Sequence, residues 1–297
     1  MMTFLRWLSR WPLARLHALG AVLGWLAYAT SPSYRGRLQC NARQAGLTPS
    51  QRRSAVAHAG RMVAELPWLW LAPADRDIES WLTWDGVEHL EAALGGGRGV
   101  LLMTPHLGSF EVFGLAYAKR FGHRVPMTAM YRPSRKPWLK EFVRSSRARP
   151  GMLTAPANLA GIRQMVRALR QGQAVALLPD QVPPLGMGVW APFFGRPAYT
   201  MTLASRLLQQ TGAQPVLLWC ERRDGAQGWV VHLRPPVDDE AAADPAAINR
   251  GMENLIAQRP EQYLWGYHRY KAPRDAQAES ARASASASAS ASAEESR

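Results

Sequence analysis

Two uninterrupted apolar runs, at residues 99–103 and 174–178, most constrain the fold of this chain. Runs of this length without polar alternation are typical of strands that are buried on both faces. Further strands are predicted at 81–84, 124–131, 215–222 and 228–234. Helices are predicted at 87–94, 110–120, 137–149, 159–171 and 201–211. Because strands alternate with helices, we expect an α/β fold with helices covering both faces of one sheet.

The chain divides into four segments by pattern. Residues 1–30 form a basic and apolar N-terminal segment, and residues 31–79 are predicted to be helical. Thr48 followed by Pro49 is typical of a helix start, because Thr caps the free N–H groups and Pro suits the first turn. Residues 80–274 form the α/β part, and the Ala/Ser repeat over 275–297 is predicted to be disordered.

The N-terminal segment allows three interpretations. Arg6, Arg10 and Arg15 precede an apolar run over 16–29 that only His17 interrupts. This pattern favours a membrane anchor lying in the interface, or a single tilted transmembrane helix, although about 20 residues are needed to span the hydrocarbon core. A cleaved signal peptide ending near 27–29 is the second interpretation, and a plain buried helix is the third.

The charge of the chain indicates an anionic partner. The formal net charge is +14, and the chain contains 12 Trp, several of them interleaved with Arg. Such Trp side chains suit a bilayer surface, where one end is apolar and the other is wet. No zinc finger, basic zipper or aromatic RNA-binding signature is present, so we expect no nucleic-acid partner. Two cysteines are too few for a disulfide framework and fit a reducing compartment.

His106 and Glu111 form the candidate catalytic pair. They follow the first apolar run, at the carboxyl end of a predicted strand, where α/β proteins often place their chemistry. If His106 lies in a loop and Glu111 in the first helical turn, Glu111 can orient His106 as a general base. Gly108 permits a sharp turn, and Ser109 is a candidate N-cap. The alternative is a chance pairing of a loop histidine with a solvated helix glutamate.

Five sequence blocks together resemble the bacterial lipid A late acyltransferases, the lauroyl and myristoyl transferases of the glycerolipid acyltransferase superfamily. "LLMTPHLGSFE" is similar to the H-x4-D/E block in its Glu form, and "YRPSRKPWLKEFVRSSRAR" resembles the Tyr-Arg-Pro block with its basic helix. The other three blocks are "LRQGQAVALLPDQ", "VWAPFFGRPAYT" and "PEQYLWGYHRYK". The resemblance runs from about residue 12 to residue 274, with the blocks in family order.

This resemblance implies a glycerolipid acyltransferase-like mixed sheet with helices on both faces, preceded by a helical, membrane-associated N-terminal part. It makes 31–274 an acyltransferase domain. The implied reaction transfers a fatty acyl chain from acyl carrier protein to a hydroxyl of a lipid A precursor in lipopolysaccharide biosynthesis, at the cytoplasmic face of the bacterial inner membrane. The acidic carrier protein and the phosphorylated glycolipid both suit a basic chain. We expect no metal and no bound cofactor.

Several other residues are candidates for substrate binding. Arg132 and Arg149 flank a basic helix and are predicted to hold phosphates or the carrier protein, unless they belong to a solvated basic face. Asp180 follows a buried strand and is predicted to position other side chains of the site, such as an arginine. The alternative is that it caps a helix or a turn. Arg196 is a candidate for a headgroup contact. Phe193 and Phe194 are candidates for lining the acyl pocket. The alternative is that both side chains pack in the hydrophobic core.

Three alternatives for the function remain open at this point, and one of them is a basic nucleic-acid-binding module. The same chemistry can act on another acceptor, such as a lysophospholipid or a different glycolipid. The signal-peptide interpretation instead predicts a secreted α/β hydrolase or binding protein.

Overall fold

The protein begins with four helices, followed by alternating strands and helices. The structure, a computed structural model, describes residues 2–71, 76–131, 149–236 and 243–273. The first helices are α1 (Met2–Leu8), α2 (Leu13–Thr30), α3 (Pro32–Gln44) and α4 (Pro49–Trp70). The remaining helices are α5 (Val87–Gly95), α6 (Phe110–Arg120), α7 (Leu159–Arg170), α8 (Leu203–Thr211) and α9 (Pro245–Gln258). The strands are β1 (Leu82–Asp85), β2 (Val100–Met103), β3 (Met127–Tyr131), β4 (Met152–Pro156), β5 (Ala174–Leu177), β6 (Gly188–Phe193), β7 (Arg196–Met201), β8 (Gln214–Arg222) and β9 (Trp229–Arg234).

Seven of these strands form one mixed sheet in the order β1-β9-β8-β2-β5-β3-β4. All neighbours are parallel except β8 and β9, which are antiparallel. The remaining strands, β6 and β7, form a separate antiparallel hairpin. The sheet confirms the predicted mixed α/β fold.

The central strand β2 explains why the sheet is covered on both faces. All four of its residues are buried, and they alternate between two hydrophobic cores. Leu101 and Met103 pack on the face covered by α7, α8 and α9, while Val100 and Leu102 pack on the face covered by α5 and α6. An uninterrupted apolar strand is the pattern that such two-sided burial requires.

The N-terminal helix α2 packs closely along α4 through glycines. A Cβ added at Gly60 of α4 would lie 1.9 Å from the carbonyl oxygen of Gly20, and one at Gly24 would lie 2.4 Å from the carbonyl oxygen of Val56. Only glycine permits this approach of the two backbones. The opposite side of α2 exposes Val22, Leu23, Trp25 and Leu26. One side of α2 therefore belongs to the folded unit, and the other is an exposed apolar face.

Among the helices in the described ranges, none is both long and apolar enough to cross a membrane. The interfacial anchor predicted for residues 1–30 stays a prediction.

Most predicted elements are confirmed, and the differences have local causes. The helix start at Thr48 is a full capping box, in which Thr48 and Gln51 bond each other's backbone N–H groups. β4, the hairpin β6/β7 and α9 were not predicted. Proline within β4 and within both hairpin strands masks the strand pattern. The helix predicted at 137–149 lies outside the described residues except for its last position, and so does the tail over 275–297.

Candidate active site

The site lies where two neighbouring central strands end. β2 and β5 are parallel, and Met103 is paired with Leu177 in their register. His106 comes three residues after Met103, and Asp180 comes three residues after Leu177. Because parallel strands end at the same edge of a sheet, the two loops bring these side chains together.

Asp180 holds His106 by two hydrogen bonds. Its Oδ1 lies 2.7 Å from the Nδ1 of His106, and its Oδ2 accepts the backbone N–H of His106 at 2.9 Å. Burial alone would raise the pKa of Asp180, but the His106 charge and hydrogen bonds keep that pKa below its usual value. An ionised Asp180 accepts a hydrogen bond from the Nδ1–H of His106, so Nε2 carries the lone pair that a general base uses.

This contact differs from the predicted one, in which Glu111 orients His106. Glu111 lies in the first turn of α6, and its Oε2 accepts the indole N–H of Trp70 at 3.1 Å. The orienting carboxylate on Nδ1 is Asp180 instead, because the parallel register places Asp180 directly beside the His106 loop. A catalytic role for Glu111 stays a prediction.

The loop that carries His106 is held by backbone contacts on both sides. Gly108 has φ +61°, and a Cβ there would lie 2.0 Å from the carbonyl oxygen of Cys220 on β8. Its N–H donates to the carbonyl of Gln262 at 3.1 Å, and the N–H of Leu264 donates to the carbonyl of His106 at 3.2 Å. The predicted turn at Gly108 is confirmed. The Pro-Glu-Gln-Tyr block therefore fixes the loop after β2.

Tyr263 of this block lies next to Asp180. Its hydroxyl is buried, and burial and the charge of Asp180 raise its pKa well above the usual value. Tyr263 thus stays protonated beside the ionised carboxylate.

Beneath the loop, Glu65 and Arg222 form a buried ion pair. Together with His17 and Ser109, which also contact Glu65, they make up what we call the Glu65 cluster. Arg222 donates to both oxygens of Glu65, from Nε at 2.9 Å and from Nη2 at 2.6 Å. Nε2 of His17 on α2 lies 3.0 Å from Oε2 of Glu65. The Ser109 hydroxyl donates to Oε1 at 2.6 Å, and Nη2 of Arg222 also donates to the carbonyl of Gly108 at 3.0 Å. One carboxylate therefore joins α2, α4, β8 and the loop that carries His106.

The Glu65 cluster explains two local features. Burial would raise the pKa of Glu65, but the charge and hydrogen bonds of Arg222, together with His17, lower it to about 2. Ser109 stands at the N-cap position of α6, but its side chain makes no capping bond. The predicted N-cap position of Ser109 is confirmed, but its hydroxyl donates to Glu65 and does not cap the helix.

The other face of His106 is also occupied. The side-chain amide nitrogen of Gln181 lies 3.0 Å from Nε2 of His106. The ring of Phe110 packs edge-on against the imidazole, with centroids 4.9 Å apart. Both nitrogens of His106 thus have a partner. Gln181, Glu65 and Arg222 were not predicted from the sequence. A signal was available for Gln181 alone, because it directly follows Asp180 at the end of the second apolar run.

The two predicted arginines that lie in the described residues, Arg149 and Arg196, have different partners. Arg132 lies outside the described residues. Arg149 donates from Nη2 to the carbonyl of Leu69 at 3.3 Å, next to the Trp70 that bonds Glu111. Burial and the charge of Arg76 lower the pKa of Arg149. Arg196 is exposed, with its guanidinium 4.7 Å from the ring centroid of Tyr270. Their roles in substrate binding stay predictions.

The two phenylalanines belong to the hairpin β6/β7 and its turn. Phe193 is only 1% exposed and packs in the core against Tyr263 and Tyr270. Phe194 has φ +47° and packs on Trp265. Core packing accounts for both positions, and a role in lining the acyl pocket stays a prediction. No group of three potential metal ligands occurs in the described part of the chain.

The assignment of Nδ1 to Asp180 gives a direct prediction. In wild-type protein with ¹⁵N-labelled histidine, we expect NMR to show the hydrogen-bonded Nδ1 proton of His106. Asp180→Asn removes the anionic acceptor and should abolish this signal, while Glu111→Gln should keep it, because Glu111 is bonded to Trp70. Loss of the signal in Glu111→Gln alone would contradict the assignment.

The family of the chain follows from comparison of its sequence with known families. The profile described as bacterial lipid A biosynthesis acyltransferase matches residues 2–272. The chain belongs to this family. It is therefore an acyltransferase, and the predicted resemblance is confirmed.

Individual relatives agree with this membership. The chain is 30% identical to a lipid A biosynthesis lauroyltransferase of Escherichia coli over 220 residues, which cover 71% of this chain and 68% of the relative. It is also 30% identical to a lipid A biosynthesis palmitoleoyltransferase of Escherichia coli over 218 residues, with the same two shares. A phosphatidylinositol mannoside acyltransferase of Mycobacterium tuberculosis is 27% identical over 177 residues, which cover 58% of this chain and 54% of the relative.

Proposed function

We propose that this acyltransferase moves a fatty acyl chain from acyl carrier protein to a hydroxyl of a lipid A precursor, with His106 as the general base. The observation that carries the proposal is the orientation of His106 by buried Asp180 at the end of β2. Family membership and the two Escherichia coli relatives support the acceptor class. Asp180 takes the orienting role in this proposal, and Glu111 supports the site from the first turn of α6.

The chemistry needs one proton carrier. Nε2 of His106 removes the proton of the acceptor hydroxyl while its oxygen attacks the thioester carbon. Asp180 stabilises the imidazolium that forms, and the same proton then passes from Nε2 to the departing sulfur as the carbon–sulfur bond breaks. The acyl ester and the free thiol of the carrier are the products, so the histidine is regenerated without a metal or cofactor.

Charge and exposed apolar side chains support a place at the cytoplasmic face of the inner membrane. The net charge of +14 suits both an acidic carrier protein and a phosphorylated lipid. Phe4 and Trp7 of α1 are about half exposed, as are several side chains of α2. We propose that these residues form the interfacial anchor, in which apolar side chains enter the acyl boundary beside basic ones.

The test is an assay of the purified full-length chain with an acyl carrier protein thioester and a lipid A precursor. We expect the mass of the precursor to rise by one acyl group, which mass spectrometry detects. Transfer to water alone, or to no acceptor, would contradict the proposal.

A second candidate acceptor is a different glycolipid. The similarity to the phosphatidylinositol mannoside acyltransferase is the observation that favours it. In the same assay, acylation of a phosphatidylinositol mannoside at a higher kcat/KM than the lipid A precursor would favour this second acceptor.

A further inference from the structure

Gln181 and Asp180 are adjacent in sequence and contact opposite nitrogens of one imidazole. Asp180 accepts from Nδ1 of His106 at 2.7 Å, and the Gln181 amide nitrogen lies 3.0 Å from Nε2. Because Nδ1 carries the proton, Nε2 is an acceptor, and the amide N–H of Gln181 donates to it. At rest, Gln181 thus occupies the atom that must take the proton of the acceptor hydroxyl.

The position of Gln181 suits a donor that moves. The next residue, Val182, fixes the backbone at this point, because its N–H donates to the hydroxyl of Tyr267 at 3.0 Å. The Gln181 side chain itself is only half-buried, so its outer torsions have room to turn. Once the acceptor hydroxyl bonds Nε2, the thioester carbon must lie about 3–3.5 Å from that hydroxyl oxygen. Because the carbonyl oxygen is bonded to that carbon, a short movement of the displaced amide is enough to reach it.

We propose that Gln181 is a further catalytic residue whose amide moves from Nε2 of His106 to the thioester carbonyl oxygen and donates to the oxyanion. The hydroxyl proton goes to Nε2, the oxygen–carbon bond forms, and the carbonyl electron pair moves onto the oxygen that Gln181 contacts. Collapse restores the carbonyl, breaks the carbon–sulfur bond, and returns the proton from Nε2 to sulfur. This inference rests on the proposed acyl transfer from a thioester.

A merely structural role for Gln181 makes a different prediction. A structural amide would affect the melting temperature, and an amide that only seats the acceptor would affect KM for the acceptor. An oxyanion donor acts on kcat, because its contact strengthens only as negative charge develops on the oxygen. Removal of a single such donor lowers kcat by about 10²–10³-fold in other acyl-transfer enzymes.

The test compares Gln181→Met, which keeps side-chain length and lacks the donor, with wild type and with Gln173→Met. Gln173 precedes β5 at the opposite end from the site, and its amide contacts only Gln171 among the residues described. We expect Gln181→Met to lower kcat about 10²–10³-fold, with KM and melting temperature near those of wild type. Gln173→Met should match wild type in all three.

A second reaction separates the oxyanion role from other roles. In the absence of a lipid acceptor, water attacks the same thioester slowly and passes through the same oxyanion. Gln181→Met should therefore slow thioester hydrolysis and acyl transfer by the same factor. A loss confined to transfer, a loss in KM alone, or an unchanged kcat would each overturn the inference. Failure of wild type to acylate the lipid A precursor is a different result, which refutes the proposed function.

Discussion

His106→Ala is expected to lower kcat for acyl transfer by about 10²–10⁴-fold, the usual contribution of a positioned general base. The side chain is partly exposed, with hydrogen bonds to Asp180 and Gln181 and a ring contact with Phe110. The fold should therefore survive the truncation. Steady-state kinetics with a carrier protein thioester, together with the melting temperature of the variant, measure both expectations.

Two comparisons make this result specific to the site. His123→Ala is the matched control, because His123 is exposed and lies beyond the end of α6. It should leave kcat unchanged. Asp180→Asn should lower kcat in the wild-type background but change little in the His106→Ala background, since Asp180 acts through His106. Turnover near the wild-type level in His106→Ala would refute the mechanism.

Glu65→Gln is expected to lower the free energy of unfolding by about 3–5 kcal/mol, the cost of leaving one charge of a buried ion pair without its partner. Glu65 is 1% exposed and Arg222 is 2% exposed, so water cannot replace the lost charge. The amide keeps the shape of the side chain, which isolates the effect of charge. Urea unfolding at pH 7, followed by circular dichroism, measures this loss.

The matched control is Glu91→Gln, the same change in the exposed ion pair between Glu91 and Arg120. It should cost about 0–1 kcal/mol, because exposed pairs contribute little. Equal losses in the two variants would contradict a special role for the Glu65 cluster.

The pH dependence of stability provides a further check on Glu65. Its pKa falls from 4.5 to about 2 in the folded protein, so the unfolded chain binds a proton more readily. The stability that Glu65 contributes is therefore complete above about pH 4.5 and is lost as the pH falls towards 2. The difference between wild type and Glu65→Gln should shrink over the same range.

Local patterns were sufficient for the elements that alternate along the chain. The apolar strands β2 and β5 and the helix α6 lie where their patterns predict, because burial on both faces of a sheet leaves a continuous apolar run. The hairpin β6/β7 was missed because prolines interrupt its pattern, and its turn uses positive φ at Phe194 and Gly195. The glycine at 195 is compatible with such a turn, but the positive φ of Phe194 cannot be read from its residue type.

His106 was chosen as the candidate base from the sequence, because it follows a buried strand in a block that resembles the family's. Its partner was not, because Asp180 lies 74 residues away and reaches His106 only through the parallel pairing of β2 with β5. The Glu65 cluster depends even more on long-range packing, with Glu65 and Arg222 157 residues apart. Residue order thus sufficed for most strands of the main sheet, for the family and for the choice of His106 as the candidate base. The contacts that orient the base and hold its loop arise only when the sheet assembles, because hydrogen bonds between distant segments depend on strand order and register.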